Sequence, residues 1–181
     1  MERGRPGLWA ALLCDYARAH PPEGWDPNRY AAAFPGFLAA RRAEEPRLLE
    51  VDEELADFYW IEYAAFSAAD AIPRERAPDG VDHRIFVRQY TRAIPAFARA
   101  LRRGESPALP AAAPTLTIVF RNPTLRVESM HPSIAAIAAL VRRQGGDPAA
   151  LVPGIEAAAI DEAEAELRRR GVLVDGPEVA G

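Results

Sequence analysis

"TLTIVFRNPTLRVESMHPSIAAIAALVRRQGG", Thr115 to Gly146, is the stretch whose reading decides the fold. "TLTIVF" and "TLRVESM" are strand-like in residue type, and Arg121-Asn122-Pro123-Thr124 between them supplies a turn, so a β-hairpin is predicted. Leu125, Val127 and Ser129 alternate with Arg126, Glu128 and Met130, giving one face to bury and one to wet. Pro132-Ser133 then has the form of a helix start. Ile134, Ile137, Ala138 and Val141 make that helix's apolar stripe, and Gly145-Gly146 ends it.

The pattern extends in both directions. Downstream, Asp147-Pro148 opens a short helical turn, "DPAALV", closed by Pro153-Gly154. A final helix is expected from Ile155 to Arg170, with Ile160, Ala163 and Leu167 as its stripe. Its acids come early and Arg168, Arg169 and Arg170 late, which suits the helix dipole. Gly171 caps it, and "VLV" leaves as an extended piece. Upstream, "HRIFVRQY" reads as a short strand, "TRAIPAFARALRRGE" as a helix ending at Gly104, and "SPALPAAAP" as an extended connector. The order strand, helix, strand, strand, helix, short helix, helix predicts a winged-helix module of a three-stranded sheet and three helices.

The first seventy residues carry helix signals cut by prolines. Leu8 to Ala19 is one segment, stopped by "HPPEG". Asp26 is placed to cap a helix with Pro27 at its first position, and Pro35-Gly36 interrupts or restarts that helix. "RLLEVDEELADFYWIEYAAFSAADA" is the strongest helix. Leu55, Phe58, Tyr59, Glu62 and Phe66 follow one face, with Trp60 and Tyr63 off it. Aromatic side chains on several faces are sandwiched in a core or covered by a partner, the core being the commoner outcome. Phe58, Tyr59, Trp60 and Tyr63 form the partner-facing set, and Glu62 on an apolar stripe calls for an arginine. "IPRERAPDGVD", Ile72 to Asp82, reads as a linker. The expected fold class is therefore α+β, mainly α, with a helical domain over 1–76 and the winged-helix domain over 77–181.

Composition removes several function classes. Net charge is −4, so the chain as a whole is no electrostatic match for nucleic acid or an anionic membrane. All 22 basic residues are arginine. With so much alanine and proline this fits GC-rich codon usage, and no arginine is assigned a function on identity alone. A single cysteine, Cys14, excludes an internal disulfide and fits a reducing compartment. The apolar run before it ends at Asp15 and Tyr16, short for a signal core, and Leu13 is large where lipoprotein processing needs a small residue. An amphipathic first helix and a cytoplasmic protein with no membrane partner are expected.

Catalytic and metal patterns are missing from the sequence. His20, His83 and His131 are scattered, no His/Cys spacing repeats, and GxGxxG and P-loop patterns are absent. Cys14 has nearby His20 but no third group to orient it. The reading is no catalytic residue, no metal site and no cofactor in this chain.

Two stretches carry a resemblance. "ARAHPPEGWDPNRYAAAFPGFLAARRAEEPRLLEVDEELADFYWIEYAAFSAADA", about residues 17–71, resembles the domain labelled DNA-binding in HvfC-type bacterial proteins. The matches are His20-Pro21-Pro22, Phe34 to Ala40, and Leu55 to Ala64 with Asp57 and Glu62. Thr115 to Val174 is similar to PqqD-like peptide-recognition elements, through the hairpin, "SIAAIAALV", the short turn and "DEAEAELRRRGVLV". The resemblance implies a partner subunit, in a heterodimer, of a multinuclear non-heme iron oxidase that modifies ribosomally made precursor peptides. The iron would then sit in the other polypeptide.

For such a module, an extended leader peptide adds a strand beside the hairpin, with the final helix as the other wall. The expected contacts are Leu125, Arg126, Val127 and Glu128 on the edge strand, and Glu162, Glu166 and Arg169 on the helix. The alternative is a winged-helix transcriptional regulator, whose last helix enters the major groove. Here that helix carries Glu156, Asp161, Glu162, Glu164 and Glu166, which phosphates would repel, so peptide recognition is preferred.

Overall fold

A computed structural model describes residues 5–22, 27–68 and 84–173. The chain is mainly helical with one antiparallel sheet, in the order α1 (Leu8–Ala19), α2 (Pro27–Ala32), α3 (Phe34–Arg42), α4 (Glu50–Ser67), β1 (Ile85–Tyr90), α5 (Ile94–Arg102), β2 (Thr115–Arg121), β3 (Val127–Met130), α6 (Ile134–Arg143), α7 (Pro148–Leu151) and α8 (Ala157–Arg169). This is the α+β, mainly α class that the sequence predicts. Asp26, His83, the linker at Ile72 to Asp82 and the boundary at 76/77 lie outside the described residues.

The backbone forms two compact units that alternate along the chain. One holds Met1–Tyr63 and Arg92–Ala111, the other Ala64–Thr91 and Ala112–Gly181. The helix α5, which the sequence boundary put with the C-terminal module, thus belongs to the first unit. Its attachment has a physical cause in Glu62, which accepts a hydrogen bond from Arg102, while the Arg102 guanidinium lies 5.0 Å over the Tyr59 ring. The arginine that Glu62 calls for therefore comes from α5.

In the first unit Leu8, Leu12, Leu38 and Leu48 form a core flanked by Trp9, Phe34, Phe37 and Ala56. Tyr16 packs in tilted and edge-on contacts among His20, Tyr30, Phe34 and Phe37, and its hydroxyl donates to the Tyr30 carbonyl. Burial raises the pKa of that phenol. On α4 the buried apolar residues are Val51, Leu55, Phe58, Ile61 and Ala65. They follow steps of three and four, but the face is turned relative to the expected one. Phe66 falls off it and is 58% exposed. Aromatic residues on several faces leave the phase of the stripe ambiguous in the sequence, and small Ala65 is easily overlooked beside them.

In the second unit β2 is central, in the order β1-β2-β3, and both pairings are antiparallel. The register sets Ile85 against Phe120 and Met130 against Ile118. Those four side chains share one face, which packs on Ala136, Ala138, Ala139 and Leu140 of α6 and Ile160 and Leu167 of α8. The α8 stripe is as expected. On α6 the expected stripe is partly displaced, because Ile134 is 64% exposed and the alanines take the sheet-facing positions. Small residues let the helix approach the sheet closely, a packing reason that hydrophobicity alone does not reveal.

Helix ends follow the local signals. The Ser133 hydroxyl accepts the Ala136 N–H at the start of α6, and Asp147 accepts the Ala149 N–H at the start of α7. After α6, the Gly146 N–H returns to the Val141 carbonyl at 2.9 Å while Gly145 takes φ 82°, a left-handed stop.

Candidate functional site

The hairpin loop is longer than the turn expected at Arg121 to Thr124. The Asn122 N–H donates to the Arg126 carbonyl and the Leu125 N–H to the Asn122 carbonyl, both at 2.9 Å. The Asn122 Oδ1 accepts from the Thr124 N–H, the Thr124 hydroxyl and the Arg126 N–H at 2.8–3.0 Å. Its Nδ2 donates to Glu128 at 2.6 Å. One asparagine therefore organises residues 122–126, a role its side chain suits because it mimics a backbone turn. Leu125 and Arg126, expected on the edge strand, lie in this loop. Leu125 has φ 62° and is 59% exposed. The strand propensity of "TLRV" loses locally to asparagine's hydrogen bonding.

β3 itself starts at Val127 and pairs on one side with β2. The direction of its backbone groups follows from one bond. The Arg121 N–H donates to the Arg84 carbonyl, toward β1. Residues alternate in direction along a strand, so Phe120 and Ile118 turn toward β3 and bond with Glu128 and Met130. Val127 sits opposite Arg121 and directs its N–H and C=O away from β2. Val127 is half-buried and Glu128 exposed.

On α8 the three expected contacts share a stripe, since Glu162, Glu166 and Arg169 are four and three residues apart. At about 100° per residue this stripe is nearly opposite Ile160, Glu164 and Leu167, the buried side. Glu162 and Arg169 therefore face away from the core. Glu166 stands on the flank and accepts hydrogen bonds from Arg169 and Arg170 at 2.5–2.9 Å. These bonds hold its carboxyl below the usual carboxylate range.

The sequence reading missed the ion-pair cluster that joins α6 to α8. Glu164 is buried and accepts from Arg142 at 2.5 Å and Arg168 at 2.6 Å, while Arg142 also bonds Asp161 at 2.8 Å. Its signal was present, since Glu164 lies four residues after Ile160 and three before Leu167, on the apolar stripe. Hydrogen bonding from Arg142 first, and the charges of Arg168, Arg142 and Arg143, lower the Glu164 pKa from its ordinary 4.5. A lowered carboxylate pKa stabilises the fold above the unfolded-state value and loses that contribution as pH falls through the folded-state value. Glu164→Gln is expected to cost about 2 kcal/mol at pH 7, toward the low end for charge-assisted hydrogen bonds because Arg142 is partly exposed. Urea denaturation at pH 7 and again below pH 4 checks it, and the gap between variant and wild type should narrow in acid.

Of the expected partner-facing set on α4, Phe58 is 1% exposed and belongs to the core. Tyr59 lies under Arg102, Trp60 is half-buried, and Tyr63 is 43% exposed. A stripe residue flanked by Leu55 and Ile61 is drawn inward, which corrects the docking role expected for Phe58. Among the described residues no group of three or more His, Cys, Asp or Glu is placed to hold a metal ion, and no helix is long and apolar enough to cross a membrane. The chain matches no protein-family model, and no curated protein matches it.

Proposed function

We propose that this chain is a non-catalytic accessory subunit that binds the leader of a ribosomally synthesised precursor peptide and presents it to a separate multinuclear non-heme iron oxidase. The second unit serves as a winged-helix recognition element. The observation that carries the reading is β3, an outer strand among the described residues, whose Val127 turns both backbone groups away from β2. A leader added there gains main-chain hydrogen bonds, with side-chain pockets setting its register. Val127 and Glu128 stay in the contact set, and Glu166 joins them from the flank of α8. Glu162 and Arg169 face solvent and leave the contact set. Iron belongs to the oxidase, and Tyr63 is the best exposed of the four α4 side chains expected to meet it.

The test is co-purification. The tagged chain is co-expressed with its neighbouring genes, and the isolated complex is assayed for iron and for leader binding. An iron-loaded heteromer that binds the leader supports the reading. A chain that purifies alone, and instead binds duplex DNA with steep salt dependence, overturns it. Within the heteromer, Val127→Pro removes the outward N–H while leaving the β2 ladder intact. Leader affinity should fall at least tenfold, with a much smaller change for Val127→Ala, by calorimetric titration.

A further inference from the structure

The tip of the hairpin holds a leucine where the backbone favours glycine or asparagine. Leu125 adopts φ 62°, a left-handed conformation that costs an ordinary residue about 1 kcal/mol, yet its side chain is 59% exposed. Burial among the described residues does not offset that cost. The loop is also held rigid. Asn122 ties it from within through its Oδ1, and Gly171, just past α8, packs against Pro123 and Asn122 from outside. A rigid, exposed apolar side chain loses little further freedom on binding, the property of an interface anchor.

The surroundings indicate what receives it. Arg126 is exposed beside Leu125, and Arg168, Arg169 and Arg170 lie within one helical turn of the Gly171 contact. Glu164 and Glu166 offset two of these four charges, and Glu128, which accepts from Asn122 in the loop, offsets a third, leaving a local excess of one positive charge on a chain of net charge −4. Phosphates would favour more unpaired cations and offer nothing to a leucine. A protein pocket that is apolar at its floor and acidic at its rim satisfies both features.

We propose that Leu125 is a docking knob for the oxidase, inserted into an apolar, acid-rimmed pocket on its surface, while the adjacent β3 edge takes the leader. This rests on the accessory-subunit reading above and gives oxidase docking to Leu125, a residue that the sequence reading had assigned to leader binding. The experiment titrates the purified chain and its variants, by calorimetry, with the iron oxidase encoded beside it and separately with the leader peptide. Leu125→Asn tolerates the same backbone, so the melting temperature should hold or rise. Oxidase affinity should fall at least tenfold, leader affinity should change less than twofold, and Leu125→Met should retain most oxidase binding. Raising salt should weaken the wild-type heteromer. Unchanged oxidase binding by Leu125→Asn overturns the knob while leaving the accessory reading intact, as does loss of leader binding in its place. A wild-type chain that binds neither oxidase nor leader overturns both.

Discussion

Replacing Asp52 by alanine should cost the first unit about 3 kcal/mol, the range for breaking a buried pair together with a helix cap. The carboxylate is 1% exposed and receives three donors. Arg5 binds it through both terminal nitrogens, at 2.5 and 3.1 Å, and the Leu49 N–H donates to it at 2.9 Å. Asp52 is the third residue of α4 and reaches back to the N–H of the residue before the helix, one half of a capping box. Arg5 also donates to the Arg47 carbonyl at 2.9 Å, so the same guanidinium fixes the turn that leads into α4. Alanine leaves the Leu49 N–H unmet and Arg5 without its counter-ion. Asp52→Asn keeps an acceptor for the cap and should cost about half as much. Arg5→Ala leaves the carboxylate buried and uncompensated, so it should approach the cost of Asp52→Ala, and the double variant should cost much less than the sum. Urea denaturation of the four proteins measures this. Additive single costs would show that Arg5 and Asp52 do not act as a pair.

The origin of that pair explains what could be read in the sequence. Signals confined to a few residues were legible: Ser133 and Asp147 as helix starts, Gly104, Gly145 and Gly171 as stops, and the Ile160 to Leu167 stripe. The three strands were legible for the same reason, since each is a short run bounded by turn residues. The Arg5–Asp52 pair spans 47 positions and the Arg142–Glu164 pair 22, and nothing local says which arginine meets either acid. Glu62 and Glu164 were half-legible, because an acid on an apolar stripe demands a cation without saying which one. The hairpin loop was misread for another reason. Arg126 and Leu125 are tolerable strand residues, and the side-chain bonds of Asn122 decide the loop only once its length is known. For the candidate site, this moved two of the four strand contacts into the loop, and helix phase turned Glu162 and Arg169 outward. A flat contact set thus became an edge strand with a separate tip.

Gly171→Ala should be the most damaging single methyl in the second unit, at about 3 kcal/mol. Two costs add, a left-handed alanine at about 1 kcal/mol and overpacking at about 2 kcal/mol. Gly171 takes φ 72°, and a methyl there would overlap the Cδ of Pro123, with its Cγ at 3.3 Å and the Asn122 Cβ at 3.4 Å. Pro123 is a ring in a loop pinned by Asn122, so it cannot swing aside as a flexible side chain would. The glycine also closes α8. The Val172 N–H returns to the Leu167 carbonyl and the Gly171 N–H to the Arg168 carbonyl, both at 2.9 Å, and Val172 joins Leu167 in the core. Gly104 provides the internal control, because it ends α5 at φ 76° with open space around it. Gly104→Ala carries only the backbone cost, about 1 kcal/mol. A threefold difference between the two alanines in urea denaturation would establish that α8 and the hairpin tip are locked together through this contact. Equal costs would mean that Pro123 yields, and a tip that yields could not present Leu125 as a rigid anchor.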